Sequence, residues 1–319
     1  MPMKKLLFSF LFLLFTATRI LAQSKTYCNP INLDYGFTPI PNFSEAGRHR
    51  ATADPLIVNF KGKYFLFSTN QWGYWWSNDL SKWNFVSRKF LLPHNKVYDE
   101  LCAPAAWVMG DTLYVIGSTH TKEFAIWKST NPTVDDWKIA VPAFEGAAWD
   151  PGFLYDDDKR LYLYYGSSNT YPLYGWEINP KTLQPIGERK ELVRLHDDQH
   201  GWERFGDYND NIFLKPFIEG AWVDKHNGKY YFQYGAPGTE FNGYAEVFTF
   251  LINRLGLLST KPIILFATNR AVLSVEPATE AVSKIISAIG GISQRGLLPS
   301  KTTLNDDWSC FQRVLTKTM

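Results

Sequence analysis

Cysteine, histidine and net charge are all scarce in this chain, and each shortage excludes something. Only six histidines occur in 319 residues, and none shows metal-ligand spacing, so a zinc centre is not expected. Basic and acidic residues nearly balance, 33 against 31, for a net charge of +2. A phosphate-binding surface needs a concentrated basic patch, so nucleic acid is excluded as the main partner. Three cysteines are present. Cys28 and Cys102 can pair in an oxidising compartment or stand as two buried thiols, and the sequence leaves both open. Long apolar runs are missing except for Leu6 to Phe15, which is too short to span a bilayer comfortably. No amphipathic helical period occurs before residue 247.

Aromatic residues, at 16%, are what the chain has in plenty. They suit strands, and their rings suit stacking on the apolar faces of sugars. The N-terminus reads as a secretory signal: Lys4-Lys5, the apolar run, then small residues from Thr18 to Ala22. Residues 1–22 are thus expected to be removed, leaving a secreted or periplasmic protein with no membrane attachment. A Pro-, Asn- and Gly-rich lead-in follows from Tyr27 to His49.

One phrase then recurs four times. It runs from Asp54-Pro55 to Tyr64-Phe65-Leu66-Phe67-Ser68, and from Ala103-Pro104 to Leu113-Tyr114-Val115-Ile116-Gly117-Ser118. It returns from Asp150-Pro151 to Leu161-Tyr162-Leu163-Tyr164-Tyr165, and from Glu219-Gly220-Ala221-Trp222 to Tyr230-Tyr231-Phe232. Each copy reads as strand, polar turn, aromatic strand. A second phrase, Trp76-Ser77-Asn78-Asp79 to Trp83 and Trp127-Lys128-Ser129 to Trp137, reads as an outer hairpin. Units of four strands repeating at roughly 40–50 residues are the signature of propeller blades. Their innermost strands converge on one axis, so Asp54, Asp150 and Glu219 are expected to meet there. Asp156-Asp157-Asp158-Lys159 reads as a solvated hairpin turn rather than a calcium loop. Trp72, near the end of the first copy, and Trp149, beside Asp150, are candidate sugar contacts.

The composition changes near residue 247. Residues 248–319 hold no tyrosine, and Val272 to Gly291 is small and aliphatic. Shifting the reading by one base permits Arg-Gly-Ala-Gly-His-Gly-Ser through Ser274–Glu280. It also permits Trp-Trp-His-Ile-Ala-Thr-Arg through Ile289–Gly296 and Phe-Pro-Ala-Gly-Phe-Asp-Lys through Cys310–Lys317. The first two restore the hairpin phrase of the other copies. A fifth blade is therefore expected to be encoded out of frame, with 248–319 an aberrant tail.

The ordered set His49-Arg50-Ala51-Thr52-Ala53-Asp54-Pro55, Cys102-Ala103-Pro104, Trp149-Asp150-Pro151 and Ile218-Glu219-Gly220-Ala221-Trp222 resembles glycoside hydrolase family 43, from about Tyr27 to Val247. The resemblance implies an all-β, five-bladed propeller, here with four proper blades. It implies an inverting mechanism on arabinose- or xylose-containing oligo- or polysaccharides. It casts Asp54 as general base, Asp150 as the residue that tunes and orients the acid, and Glu219 as general acid. Inversion needs acid and base roughly 6.5–9.5 Å apart with water between them, which suits residues from different blades. The family's central Gly-His-Gly has no in-frame match, and a structural calcium near the axis has no support in the sequence. No cofactor is expected. Two rival readings are a non-catalytic sugar-binding propeller and an inactive, truncated glycosidase.

Overall fold

Runs of four to nine residues rich in Tyr, Trp, Phe, Val and Ile are too short for helices and are punctuated by Gly turns. They fold as antiparallel meanders. The computed structural model describes residues 54–69, 73–87, 101–119, 124–146, 148–238, 241–257 and 263–265. The signal segment, Cys28 and Trp72 lie outside these residues.

Blade 1 is β1 (Leu56–Phe60), β2 (Lys63–Phe67), β3 (Gly73–Ser77) and β4 (Trp83–Ser87), paired in that order. Blade 2 repeats the pattern with β5 (Cys102–Met109), β6 (Thr112–Ser118), β7 (Ile126–Ser129) and β8 (Lys138–Val141). Blade 3 contains β9 (Gly152–Tyr155) and β10 (Leu161–Tyr165), then, after the two-residue β11 (Ser167–Ser168), β12 (Leu173–Ile178) and β13 (Pro185–Val193). Blade 4 is built from β14 (Ile218–His226), β15 (Lys229–Ala236) and β16 (Ala245–Asn253), with β17 (Gly256–Leu257) and β18 (Ile263–Leu265) both on the free edge of β16. The one helical element among the described residues is the 3-10 turn Gly201–Glu203. The all-β propeller reading holds, with four blades among the described residues.

The turns follow from local chemistry. Lys61-Gly62 and Asn227-Gly228 place both central residues at positive φ, the geometry of a two-residue hairpin turn whose twist matches its strands. The outer hairpins are closed by side chains, as their second phrase predicts. Ser77 Oγ accepts from the Asp79 and Leu80 amides at 3.1 and 2.9 Å, and Asp79 accepts from the Ser81 and Lys82 amides. In blade 2, Ser129 Oγ accepts from Asn131 N at 3.0 Å and donates to Asp136.

The core lies between the blades. One cluster joins Leu56, Phe65 and Phe67 of blade 1 to Val115 and Trp127 of blade 2, and also takes in Trp222 of blade 4. A second joins Trp107 and Ile116 to Phe153, Leu161 and Leu163. The third joins Tyr162 and Tyr164 to Val223, Phe232 and Tyr234. Trp107 stacks on Phe153 with centroids 4.0 Å apart, worth about 1 kcal/mol beyond its area burial.

Asp156 corrects one expectation. Its run does form the β9–β10 turn, but the turn is not simply solvated. The Asp156 side chain is fully buried. It accepts from Lys225 Nζ at 2.6 Å, Tyr230 hydroxyl at 2.5 Å, Arg254 Nε at 2.5 Å and its neighbour's amide at 2.7 Å. Lys225 also reaches Asp157, and Arg254 reaches Asp158. The protein's own cations neutralise the buried carboxylate. Burial alone would push the Asp156 carboxyl up, but the bonds from Lys225, Tyr230, Asp157 N and Arg254 together hold it far below the usual carboxylate range. A depressed folded pKa means the contribution is present above the unfolded value near 4 and fades as pH falls toward the folded one. Asp156→Ala is expected to cost about 3 kcal/mol. Chemical denaturation at pH 7 and at acid pH checks this, because the deficit should shrink with acidification.

The same clasp moves a boundary. The sequence reading ended the propeller at residue 247, yet β16 runs unbroken across it, pairing Val247 with Tyr234 and Leu251 with Tyr230. Arg254 holds Asp156, and its carbonyl accepts from the Tyr164 hydroxyl at 2.8 Å. Residues 248–257 are thus part of blade 4. The frame-shift segments Ser274–Glu280, Ile289–Gly296 and Cys310–Lys317 lie outside the described residues.

Candidate active site

Inner strands touch one another in sequence: β1 with β5, β5 with β9, β9 with β14. Polar links bind each head to the tail of a neighbouring second strand. Thr69, just past β2, donates from Oγ1 to Asp54 at 2.5 Å and accepts from Ala103 N at 2.7 Å. Ser118, ending β6, accepts from Asp150 N at 2.9 Å. Gly166 N donates to the Trp149 carbonyl at 2.8 Å, and Ser167 of β11 pairs with Glu219. Strand 2 ends where strand 1 begins, so these links put all four heads at one end of the blades.

The heads share an unusual backbone. Asp54, Ala103, Asp150 and Gly220 all have positive φ, at 49, 42, 51 and 72°. Each stands two residues before the regular pairing of its inner strand begins, at Leu56, Ala105, Gly152 and Trp222. In blades 2 and 4 the register slips between Cys102 and Ala105 and between Glu219 and Trp222. A bulge of this kind re-aims side chains and is frequent beside active sites. It also refines the repeat: Gly220, not Glu219, matches the two aspartates. Glu219 stands one residue earlier, level with Cys102 and Trp149.

Asp54, Asp150 and Glu219 are half-buried. Asp150 and Glu219 head adjacent strands. The approach is close, since a Cβ on Gly152 would lie 2.7 Å from the Ala221 carbonyl oxygen. Asp54 is two blades from Asp150, with blade 2 between them, and is joined to blade 2 through Thr69. Trp149 is half-buried with its ring edge-on to Phe124 at 6.3 Å, so part of its surface serves the blade 2–3 core. Among the described residues no group of three or more His, Cys, Asp or Glu is disposed to hold a metal ion.

Two features carried no local signal in the sequence. Glu219 pairs across the sheet with Gly235, and Gly235 with Glu246, so a further carboxylate lies level with Glu219 two strands away. The ring of Tyr244 covers the bare Gly235, where a Cβ would meet its hydroxyl at 2.3 Å. The segment before β14 is anchored by Glu203, which is wholly buried. Its carboxylate accepts from His196 N at 2.6 Å, faces His200 Nδ1 at 3.0 Å and receives the Tyr234 hydroxyl at 3.5 Å. Its carbonyl accepts from Phe217 N at 3.1 Å, two residues from Glu219. Burial pushes the Glu203 carboxyl up, against the pull of His196 N and His200. Burial of this group therefore favours folding at acid pH, and that contribution fades as pH rises through its raised pKa.

Aromatic blades with carboxylates at the heads of their inner strands define an acid-lined β-propeller. The chain matches the model of Glycosyl hydrolases family 43 over residues 49–258, well over half its length, and belongs to that family of glycosidases. Its fold is shared with a thermostable family-43 glycoside hydrolase at 19% identity and TM-score 0.53, covering 75% of this chain and 77% of that one. An alpha-L-arabinofuranosidase from Clostridium thermocellum superposes with 16% identity and TM-score 0.50, covering 78% and 86%. An endo-1,4-beta-xylanase from Bacteroides thetaiotaomicron does so with 18% identity and TM-score 0.51, covering 73% and 76%. No curated protein matches the chain in sequence.

Proposed function

We propose that this glycosidase cleaves arabinose- or xylose-containing oligo- or polysaccharides with inversion. Asp54 is the general base that activates water, Glu219 the general acid on the leaving oxygen, and Asp150 the carboxylate that positions and tunes Glu219. The observation that carries this is the set of inner-strand heads, which sit at one end of the blades and carry a carboxylate in blades 1, 3 and 4. Asp150 heads the strand beside that of Glu219. A like charge there disfavours ionisation of the acid and helps keep it protonated. Thr69 spends its one proton on Asp54, which orients the base without neutralising it. Trp72 and Trp149 are proposed as sugar contacts at the rim. Export by the N-terminal signal is part of the same reading.

We further infer that the text beyond β18, which still pairs with β16 at Ile263–Leu265, is out of frame and that a fifth blade is missing. An unclosed propeller leaves sheet edges and apolar faces exposed.

The test is hydrolysis of a panel of nitrophenyl arabinofuranosides and xylosides, with the anomer released followed by proton NMR. Inverted product from one of these pentosides is the expected result. Retained configuration would exclude the mechanism, and cleavage of hexosides alone would exclude the substrate class.

A further inference from the structure

A cleft lies away from the axis. An open cleft of about 520 Å³ is lined by Glu145, Gly146, Tyr165, Trp176, Gly187, Glu188 and Arg189, within the size range of small-molecule sites. None of Asp54, Asp150 and Glu219 lines it. It opens between the segment leaving blade 2 and the two outer strands of blade 3.

The cleft is built by a bulge. Gly175 pairs with Lys190 and Glu177 with Ile186, so Trp176 alone faces Gly187, Glu188 and Arg189. The bulge swings those three residues outward, where all are exposed. The indole is pinned, with Trp176 Nε1 donating to the Gly187 carbonyl at 2.9 Å. Tyr165 lies roughly parallel to Trp176 and to Tyr174, at 6.5 and 5.6 Å between centroids. Arg189 covers Tyr174 at 4.0 Å and donates from Nη1 to the Tyr165 hydroxyl at 3.2 Å. The result is a fixed aromatic wall beside a guanidinium with donors to spare. No donor among the described residues engages the Glu145 or Glu188 carboxylate.

The lining selects the ligand's chemistry. A purely apolar ligand would have to desolvate three charged groups. A free anion would face two carboxylates. A neutral polyol with an apolar face satisfies everything: its C–H face meets the indole, its hydroxyls donate to Glu145 and Glu188, and they accept from Arg189. We propose that this cleft is a non-catalytic binding site for a neutral glycan, tethering the polymer whose bonds are cut at the axis. It goes beyond the function proposed above and depends on it only for the choice of polymer.

Native electrophoresis of the full chain through gels cast with arabinoxylan or debranched arabinan tests this without any turnover, with dextran gels as control. Retardation in one of the pentosan gels is expected. Trp176→Ala and Arg189→Ala should each weaken apparent affinity roughly tenfold, while Glu219→Gln stays retarded. Thermal melting checks that each variant is folded. Should Trp176→Ala unfold, Arg189→Ala and Glu188→Ala, both on the exposed bulge, decide the matter. An unretarded parent, or cleft variants that migrate as the parent does, would overturn the proposal. So would retardation lost in Glu219→Gln and kept in the cleft variants, which would place the binding at the axis. Failure of the glycosidase reading shows separately, in the nitrophenyl assay.

Discussion

Glu219→Ala, in a chain with its full pocket, is expected to lower turnover of unactivated pentose oligosaccharides by roughly 10²–10⁴-fold. Dinitrophenyl pentosides should lose far less. A sugar alkoxide is a poor leaving group and must receive a proton as the bond breaks, whereas dinitrophenolate leaves without one. The comparison therefore isolates the acid role from a structural one. Glu219 also joins β14 to β11 through its backbone pairing with Ser167, but that pairing survives loss of the side chain. If both substrates fell by the same factor, Glu219 would be holding the site together rather than donating a proton. Asp54→Ala supplies the contrast, since loss of the base should slow both substrates alike.

Restoring the reading frame after residue 265 should raise both soluble yield and pentosidase activity, the latter by on the order of 10²-fold. That is the effect of misplacing reacting groups by about 1 Å. On the proposed reading, a four-bladed arc would leave the proposed acid and base on strands whose spacing is meant to be set by a closed ring. Removing one blade frees an edge at each end of the arc and takes one wall from the pocket. The shift cannot lie at residue 247, since β16 pairs through Leu251 and Arg254 locks onto Asp156. On the proposed reading it lies between β18, which still pairs with β16 through Leu265, and the Ser274–Glu280 segment. An early stop in the shifted frame, or a restored chain no more soluble and no more active than the present one, would end the idea.

The inner hairpins were legible because their determinants are local. A Gly or Asn-Gly turn between aromatic strands announces itself within a dozen residues. The heads were legible as Asp-Pro and Ala-Pro phrases, but their alignment with Glu219 was off by one, because the phrase does not show that Gly220 takes the left-handed position. Asp156 looked like turn chemistry; its cations, Lys225 and Arg254, are 69 and 98 residues away. Glu203 and Glu246 were invisible for the same reason: each acquires meaning only from a partner brought in by the sheet. The tail boundary at residue 247 was drawn too early, because strand pairing continues through β16, β17 and β18, and loss of tyrosine in composition does not coincide with loss of strand pairing.

The left-handed heads have a consequence for how such a chain would drift. A non-glycine residue in that region carries strain of about 1–3 kcal/mol, least for Asp and Asn. Asp54 and Asp150 occupy it themselves, and each is further crowded by the proline after it. Replacing either by glycine would relax the backbone. In blade 4 the glycine is already in place, and the acid sits beside it at no such cost. Selection for stability therefore opposes selection for chemistry at Asp54 and Asp150 but is indifferent at Glu219. If the proposed roles hold, a descendant released from catalysis, yet still required to fold and hold sugar, would shed its base and tuner first. The isolated glutamate beside Gly220 would remain as the last trace of an enzyme.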